Sequence, residues 1–159
     1  VMTLVPNGQL RRATLGLSDR AASPDELAAM RRLLAEGLDE GAIGYSTGLE
    51  YPAESGAPES EVASLAAVAA ERGALYATHT RARDAGALEA IDEAIRTARG
   101  TGVRLQISHL IPRRTADGMI ERSIERVMRA VADRHPDAPR GVRMPLNEFE
   151  PGEVWQFPG

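Results

Sequence analysis

Apolar residues recur along this chain in two rhythms. Short runs, "VMTLV", "AIGYS", "ALYATH" and "VRLQISHL", have the length and residue types of buried strands. Between them, apolar positions repeat every three or four residues, the stripe of an amphipathic helix. "SPDE" at Ser23 to Glu26 is a capping box. Ser23 caps, Pro24 suits the first helical position, and Glu26 reaches back. The helix after it puts Leu27, Met30, Leu33, Leu34 and Leu38 on one face, with Gly41 as its stop. A second helix opens at Pro58 with Glu59 and Glu61 in its first turn, carries Val62, Leu65 and Val68, and ends at Gly73. Leu88, Ile91, Ile95 and Ala98 stripe a third helix, and Ile120, Ile124, Val127, Met128 and Val131 a fourth, which fades before His135 and Pro136.

Strand followed by helix, repeated at roughly thirty-residue spacing, is the signature of βα units. It predicts an α/β fold with a parallel sheet and helices outside it. Half of a (β/α)8 barrel and an open doubly wound sheet both fit this alternation, and periodicity does not choose between them. "PNG" closes the first run and reads as a turn. After Pro136 the texture changes: the remainder is rich in proline, holds the single tryptophan, and has no clear period. The expected division is therefore a segment of βα units over 1–136 and an irregular Pro-rich tail over 137–159, either an insertion or foreign to the fold.

Composition narrows the function classes. The chain has 159 residues, 43% of them hydrophobic and 26% charged, which suits one soluble domain. A net charge of −4, with arginines spread over several segments, gives no basic field for nucleic acid. Zero cysteines removes disulfides and thiolate ligands. No apolar run approaches eighteen residues, so no membrane-spanning helix is expected. The chain starts at Val1 without a signal-like segment and reads as a piece of a longer protein. A cytoplasmic location is the expectation, with a signal peptide upstream left open.

The chemistry lies at the ends of the runs. His79 closes "LYATH" and His109 closes "LQISH", thirty positions later, and the chain has only three histidines. In a parallel α/β arrangement the carboxyl ends of strands form the functional face. Two imidazoles from adjacent strand ends can converge on one metal ion, and imidazole is a good zinc ligand. A single strand-end histidine is commonly a structural hydrogen-bonding residue, and the equivalent placement of two is what points to metal. His135 reads as a solvated helix-end residue. "GAIGYSTGLEYP", Gly41 to Pro52, runs from strand into a glycine-rich loop without the lysine of a P-loop or the spacing of a dinucleotide fingerprint. Its place on the same face makes Tyr51 a candidate wall of a substrate pocket. Arg81 and Arg83, and likewise Arg113 and Arg114, follow the two histidines, and a guanidinium there suits an anionic substrate end.

"GAIGYSTGLEYP", "LYATHTR" and "VRLQISHL", in that order and spacing, resemble the N-acyl-D-amino-acid deacylases (D-aminoacylases) of the metal-dependent amidohydrolase superfamily. The resemblance covers roughly residues 1 to 135. It departs from the family at Asn7, where histidine is common, and at Glu50, where the family is more apolar. It implies an incomplete (β/α)8 barrel of about four βα units, corresponding to the third to sixth strands. It further implies zinc on His79 and His109, and Tyr51 and Arg81 as substrate-binding residues. The implied reaction is hydrolysis of the amide of a small N-acyl-D-amino acid by a zinc-activated water. The general-base aspartate and a further metal ligand are expected outside this segment, so the segment alone is expected to be inactive. A different amide or cyclic-amide substrate, or an inert barrel piece with a binding role, are the alternatives; neither nucleic acid nor membrane is an expected partner.

Overall fold

The computed structural model describes residues 2–110 and 118–134. Four parallel strands, β1 (Leu4–Pro6), β2 (Gly44–Gly48), β3 (Leu75–His79) and β4 (Arg104–Ser108), lie in sequence order across one sheet. The helices are α1 (Asn7–Leu15), α2 (Pro24–Asp39), α3 (Glu59–Glu71), α4 (Ala87–Thr101) and α5 (Met119–Arg134). Consecutive parallel strands joined by crossover helices, with no strand inserted out of order, form a partial (β/α)8 barrel of about four βα units. The order reversal of a doubly wound sheet is not seen among the described strands.

Register explains which face is which. Val5, Tyr45, Tyr76 and Leu105 form one row across the sheet. That row packs into the core with Met30, Leu34, Val62 and Leu65 from α2 and α3. Each fully buried aliphatic side chain among these contributes roughly 1.5–3 kcal/mol by leaving water. Tyr45 and Tyr76 stack with ring centroids 5.5 Å apart, which adds about 0.5–1.5 kcal/mol. Burial raises both phenols above their ordinary value of 10.0, so they stay protonated donors. Strand alternation then turns Ser46, Ala77 and Gln106, and after them Gly48, His79 and Ser108, to the opposite face.

The capping box at α2 forms as expected: Ser23 Oγ accepts from the Glu26 amide, and Glu26 accepts from the Ser23 amide at 2.8 Å. Met30, Leu34 and Leu38 are buried, whereas Leu33 is 38% exposed and lies off the stripe. Val62, Leu65, Val68, Ile91, Ala98 and Ile124 are buried as the periodicity predicts, while Ile120 and Val131 are exposed. His135 and the tail over 137–159 lie outside the described residues.

The chief difference from the sequence reading is α1. "PNG" reads as a turn, but Pro6 instead takes the extended cap position and Asn7 starts a helix. The inward positions of α1 are Asn7, Leu10 and Arg11. Two of these are polar, so no apolar stripe announces the helix. Arg11 is fully buried and its guanidinium donates to three partners: Glu61 Oε1, the Ala53 carbonyl and the Arg20 carbonyl. Glu61, which looks like an ordinary first-turn acid, is 3% exposed, and its other oxygen accepts from the Ala22 amide. A buried ion pair holds only when its polar atoms find other partners too, and here each guanidinium nitrogen and each carboxylate oxygen has one.

Two outcomes follow for the intact protein. Arg11→Leu strands the Glu61 carboxylate in the core and should cost about 3–5 kcal/mol in denaturant unfolding. Arg11→Leu combined with Glu61→Leu should recover a large part of that loss, which a charge-independent packing role for Arg11 would not allow. At α2, the Arg20 guanidinium, followed by the Ser23 amide, lowers the Glu26 carboxyl from an ordinary 4.5 to about 2. A depressed folded value means the cap's contribution is complete above about 4.5 and is lost as pH falls toward about 2. Amide exchange in the first turn of α2 should accelerate across that window and show no such acid step in Glu26→Gln.

Candidate metal and substrate site

The carboxyl ends of β2, β3 and β4 bring one row of residues together: Gly48, His79 and Ser108. His79 is the last residue of β3, and His109 stands one position beyond β4. Simple alternation would send His109 to the helix-covered face, away from His79. Its backbone instead adopts φ 55°, a left-handed conformation that costs a non-glycine residue about 1–3 kcal/mol. The imidazoles of His79 and His109 then lie edge to face with centroids 5.4 Å apart. The two strand-end histidines singled out in the sequence are neighbours in space.

The loop after β2 supplies the third side of the site. Leu49 donates its amide to the His79 carbonyl at 3.1 Å, which joins the start of the loop to the end of β3. Tyr51 folds back so that its ring centroid is 4.9 Å from that of His79. The ring lies directly over Gly48, where a Cβ would come within 2.8 Å of Tyr51 Cδ2. Tyr51 remains half exposed. Glu50 Oε2 is 2.8 Å from His79 Nε2, and His79 itself is nearly buried. An ionised carboxylate only accepts, so the Nε2 hydrogen of His79 is the donor in this bond, which leaves Nδ1 as the other ring nitrogen.

That donor set suits a metal in part. Two imidazoles beside one another, one of them oriented by a carboxylate, are the nitrogen ligands and outer partner typical of zinc sites. A catalytic zinc commonly takes three protein ligands. Among the described residues no group of three His, Cys, Asp or Glu side chains is placed to hold an ion. The described residues therefore offer two of the nitrogen donors such a site uses and not a full set.

Arg81 is differently engaged from the sequence expectation. Its Nε and Nη2 donate to the two oxygens of Glu93 at 2.9 and 2.7 Å. Nη1 and Nη2 also donate to the carbonyls of Ser55 and Ala57. Glu93 raises the guanidinium's pKa further, and the fork a substrate carboxylate would use is filled from within the chain. A crevice of about 380 Å³ lies along Arg81, Glu93 and Arg96, and neither histidine nor Tyr51 lines it. Arg113 and Arg114 are outside the described residues. Sequence reasoning marked Glu50 only as a departure from a pattern. Its position beside Tyr51, in a loop already assigned to the functional face, was the available signal for its bond to His79.

No protein-family model matches the chain. An N-acyl-D-glutamate deacylase from Alcaligenes xylosoxydans xylosoxydans is 41% identical over 111 residues, covering 69% of this chain and 22% of the relative. A D-aminoacylase from the same organism is 37% identical over 106 residues, covering 67% of this chain and 22% of the relative. The crystal structure of the Bordetella bronchiseptica N-acyl-D-glutamate deacylase, complexed with zinc and a phosphonate mimic of the tetrahedral intermediate, superposes with a TM-score of 0.77. It is 32% identical, with 84% of this chain and 28% of that one covered. A D-aminoacylase structure, described as defining a novel subset of amidohydrolases, gives a TM-score of 0.62 at 35% identity over 64% of this chain and 22% of its own. The chain spans about a fifth of the length of the curated relatives it matches. With the ordered βα units, the paired strand-end histidines and these likenesses in agreement, the chain belongs to the N-acyl-D-amino-acid deacylase (D-aminoacylase) family of the amidohydrolase superfamily.

Proposed function

We propose that this chain is part of a zinc-dependent hydrolase that cleaves the amide bond of small N-acyl-D-amino acids, releasing a carboxylate and a D-amino acid. The observation that carries the reading is the pair of imidazoles at adjacent strand ends, 5.4 Å apart, under the Tyr51 ring. The deacylase relatives and the zinc- and phosphonate-bound structure support it. His79 and His109 would hold the ion, and the remaining ligand and the general base would come from outside the described residues. Bound there, zinc supplies Lewis acidity toward the acyl carbonyl and makes a water acidic enough to attack at neutral pH.

The chain's own residues do the rest. Glu50 accepts the Nε2 hydrogen of His79, which orients the ring and leaves Nδ1 for a ligand role. Tyr51 presents an aromatic wall beside the two imidazoles, against which an acyl or side-chain group packs while the amide is held near them. Arg81, with its fork on Glu93, serves the site by holding the Ser55 and Ala57 carbonyls of the loop.

The test uses the intact enzyme. His79→Asn and His109→Asn keep size and polarity but remove imidazole donors. Each should lower bound zinc, measured by metal analysis of the purified protein, and reduce turnover of N-acetyl-D-amino acids by orders of magnitude. Melting temperatures should stay near the parent's in the presence of chelator. If both variants retain a full complement of zinc, the ligand assignment is wrong, and the hydrolytic reading loses its main support.

A further inference from the structure

We infer that Glu54 is a positioning residue for substrate binding: its carboxylate, shared between Gly48 and Asn7, seats Tyr51 on His79. This deepens the reading above and rests on Tyr51 being the pocket wall. Glu54 Oε2 accepts from the Gly48 amide at 2.8 Å and from Asn7 Nδ2 at 3.0 Å. Asn7 is fully buried and fixed in turn by the Tyr45 hydroxyl, which donates to Asn7 Oδ1 at 3.0 Å. One oxygen thereby ties the loop to the end of β2 and to the first turn of α1.

The backbone of Glu54 completes the clamp. Its amide donates to the Tyr51 carbonyl at 3.1 Å, and the Ser55 amide donates to the same oxygen at 3.0 Å. Tyr51 is thus held through Glu54 on one side while its ring rests on Gly48 on the other. Two features suit this place to a carboxylate. α1 has no acidic residue in its first turn, so Glu54 supplies from another element the negative charge that a helix N-terminus favours. Gly8 in that turn leaves the room: a Cβ there would stand 2.8 Å from Glu54 Oε1. The other loop anchors are different in kind. Asp19 accepts from Ser55 Oγ and the Gly56 amide, and Arg81 binds the Ser55 and Ala57 carbonyls, so both act on the far arm of the loop.

The geometry separates shape from charge. Both bonds fall on one oxygen, so glutamine can accept both through its amide oxygen and restore the clamp without the charge. The experiment compares Glu54→Ala, Glu54→Gln, Asp19→Ala and Tyr51→Leu in the intact zinc enzyme. Steady-state kinetics use N-acetyl-D-glutamate and N-acetyl-D-methionine. A second measurement follows the ring protons of His79 by NMR with labelled histidine, because Tyr51 at 4.9 Å imposes a ring-current shift on them. Glu54→Ala should raise KM about tenfold with kcat nearly unchanged, the pattern of lost uniform binding. It should also move the His79 signals toward their Tyr51→Leu positions, with zinc content unaltered. Glu54→Gln should return both measurements to the parent values, and Asp19→Ala should leave them there. The inference is overturned if Glu54→Ala keeps the parent His79 signals and KM, or if Asp19→Ala reproduces its effects. If the parent hydrolyses neither probe, the proposed reaction is at fault, and the His79 signals still decide whether Glu54 seats Tyr51.

Discussion

One guanidinium fixes the frame on which the site is built. Arg11 reaches from α1 to the Glu61 carboxylate of α3, to the Arg20 carbonyl in the connection before α2, and to the Ala53 carbonyl in the loop after β2. It is completely buried, so the core is arranged around a charge that must stay matched. The core apolar side chains alone would let α1 slide along the neighbouring units. The ion pair fixes the helix in one position, and the loop that carries Glu50 and Tyr51 is fixed with it.

Much of the fold is legible in the sequence because the apolar code is local. The capping box of Ser23 and Glu26, the stripe of Val62, Leu65 and Val68, and the four strand runs each report a period that survives folding. α1 escapes this reading because its inward face is built from Asn7 and Arg11, whose side-chain partners Tyr45 and Glu61 are 38 and 50 residues away. No local window contains that information. Glu61 is hidden for the same reason: an acid in a first helical turn is ordinarily solvated, and Arg11 with the Ala22 amide makes it an interior residue.

The site is legible to a similar depth. Parallel strand ends predict that His79 and His109 approach each other, and they do. The sequence does not show that alternation alone would part them, nor that His109 resolves the conflict by taking a left-handed backbone. Strain of this kind persists only where surrounding structure imposes it. Arg81 shows a different dependence on distant packing. A guanidinium just past a strand-end histidine suggests an anion, but Glu93 lies twelve positions on, and their two-bond pairing depends on where α4 packs.

The anchors of the loop after β2 have a further consequence for how such a site diversifies. Most of them grip main-chain groups: the carbonyls of Ala53, Ser55 and Ala57, and the amides of Gly48 and Gly56. Main-chain groups are the same whatever side chain they carry. The side chains at Glu50 and Tyr51 can therefore be exchanged without rerouting the loop that presents them. The course of the loop is inherited from the scaffold, so the side chains it presents can change by single substitutions while its path stays the same.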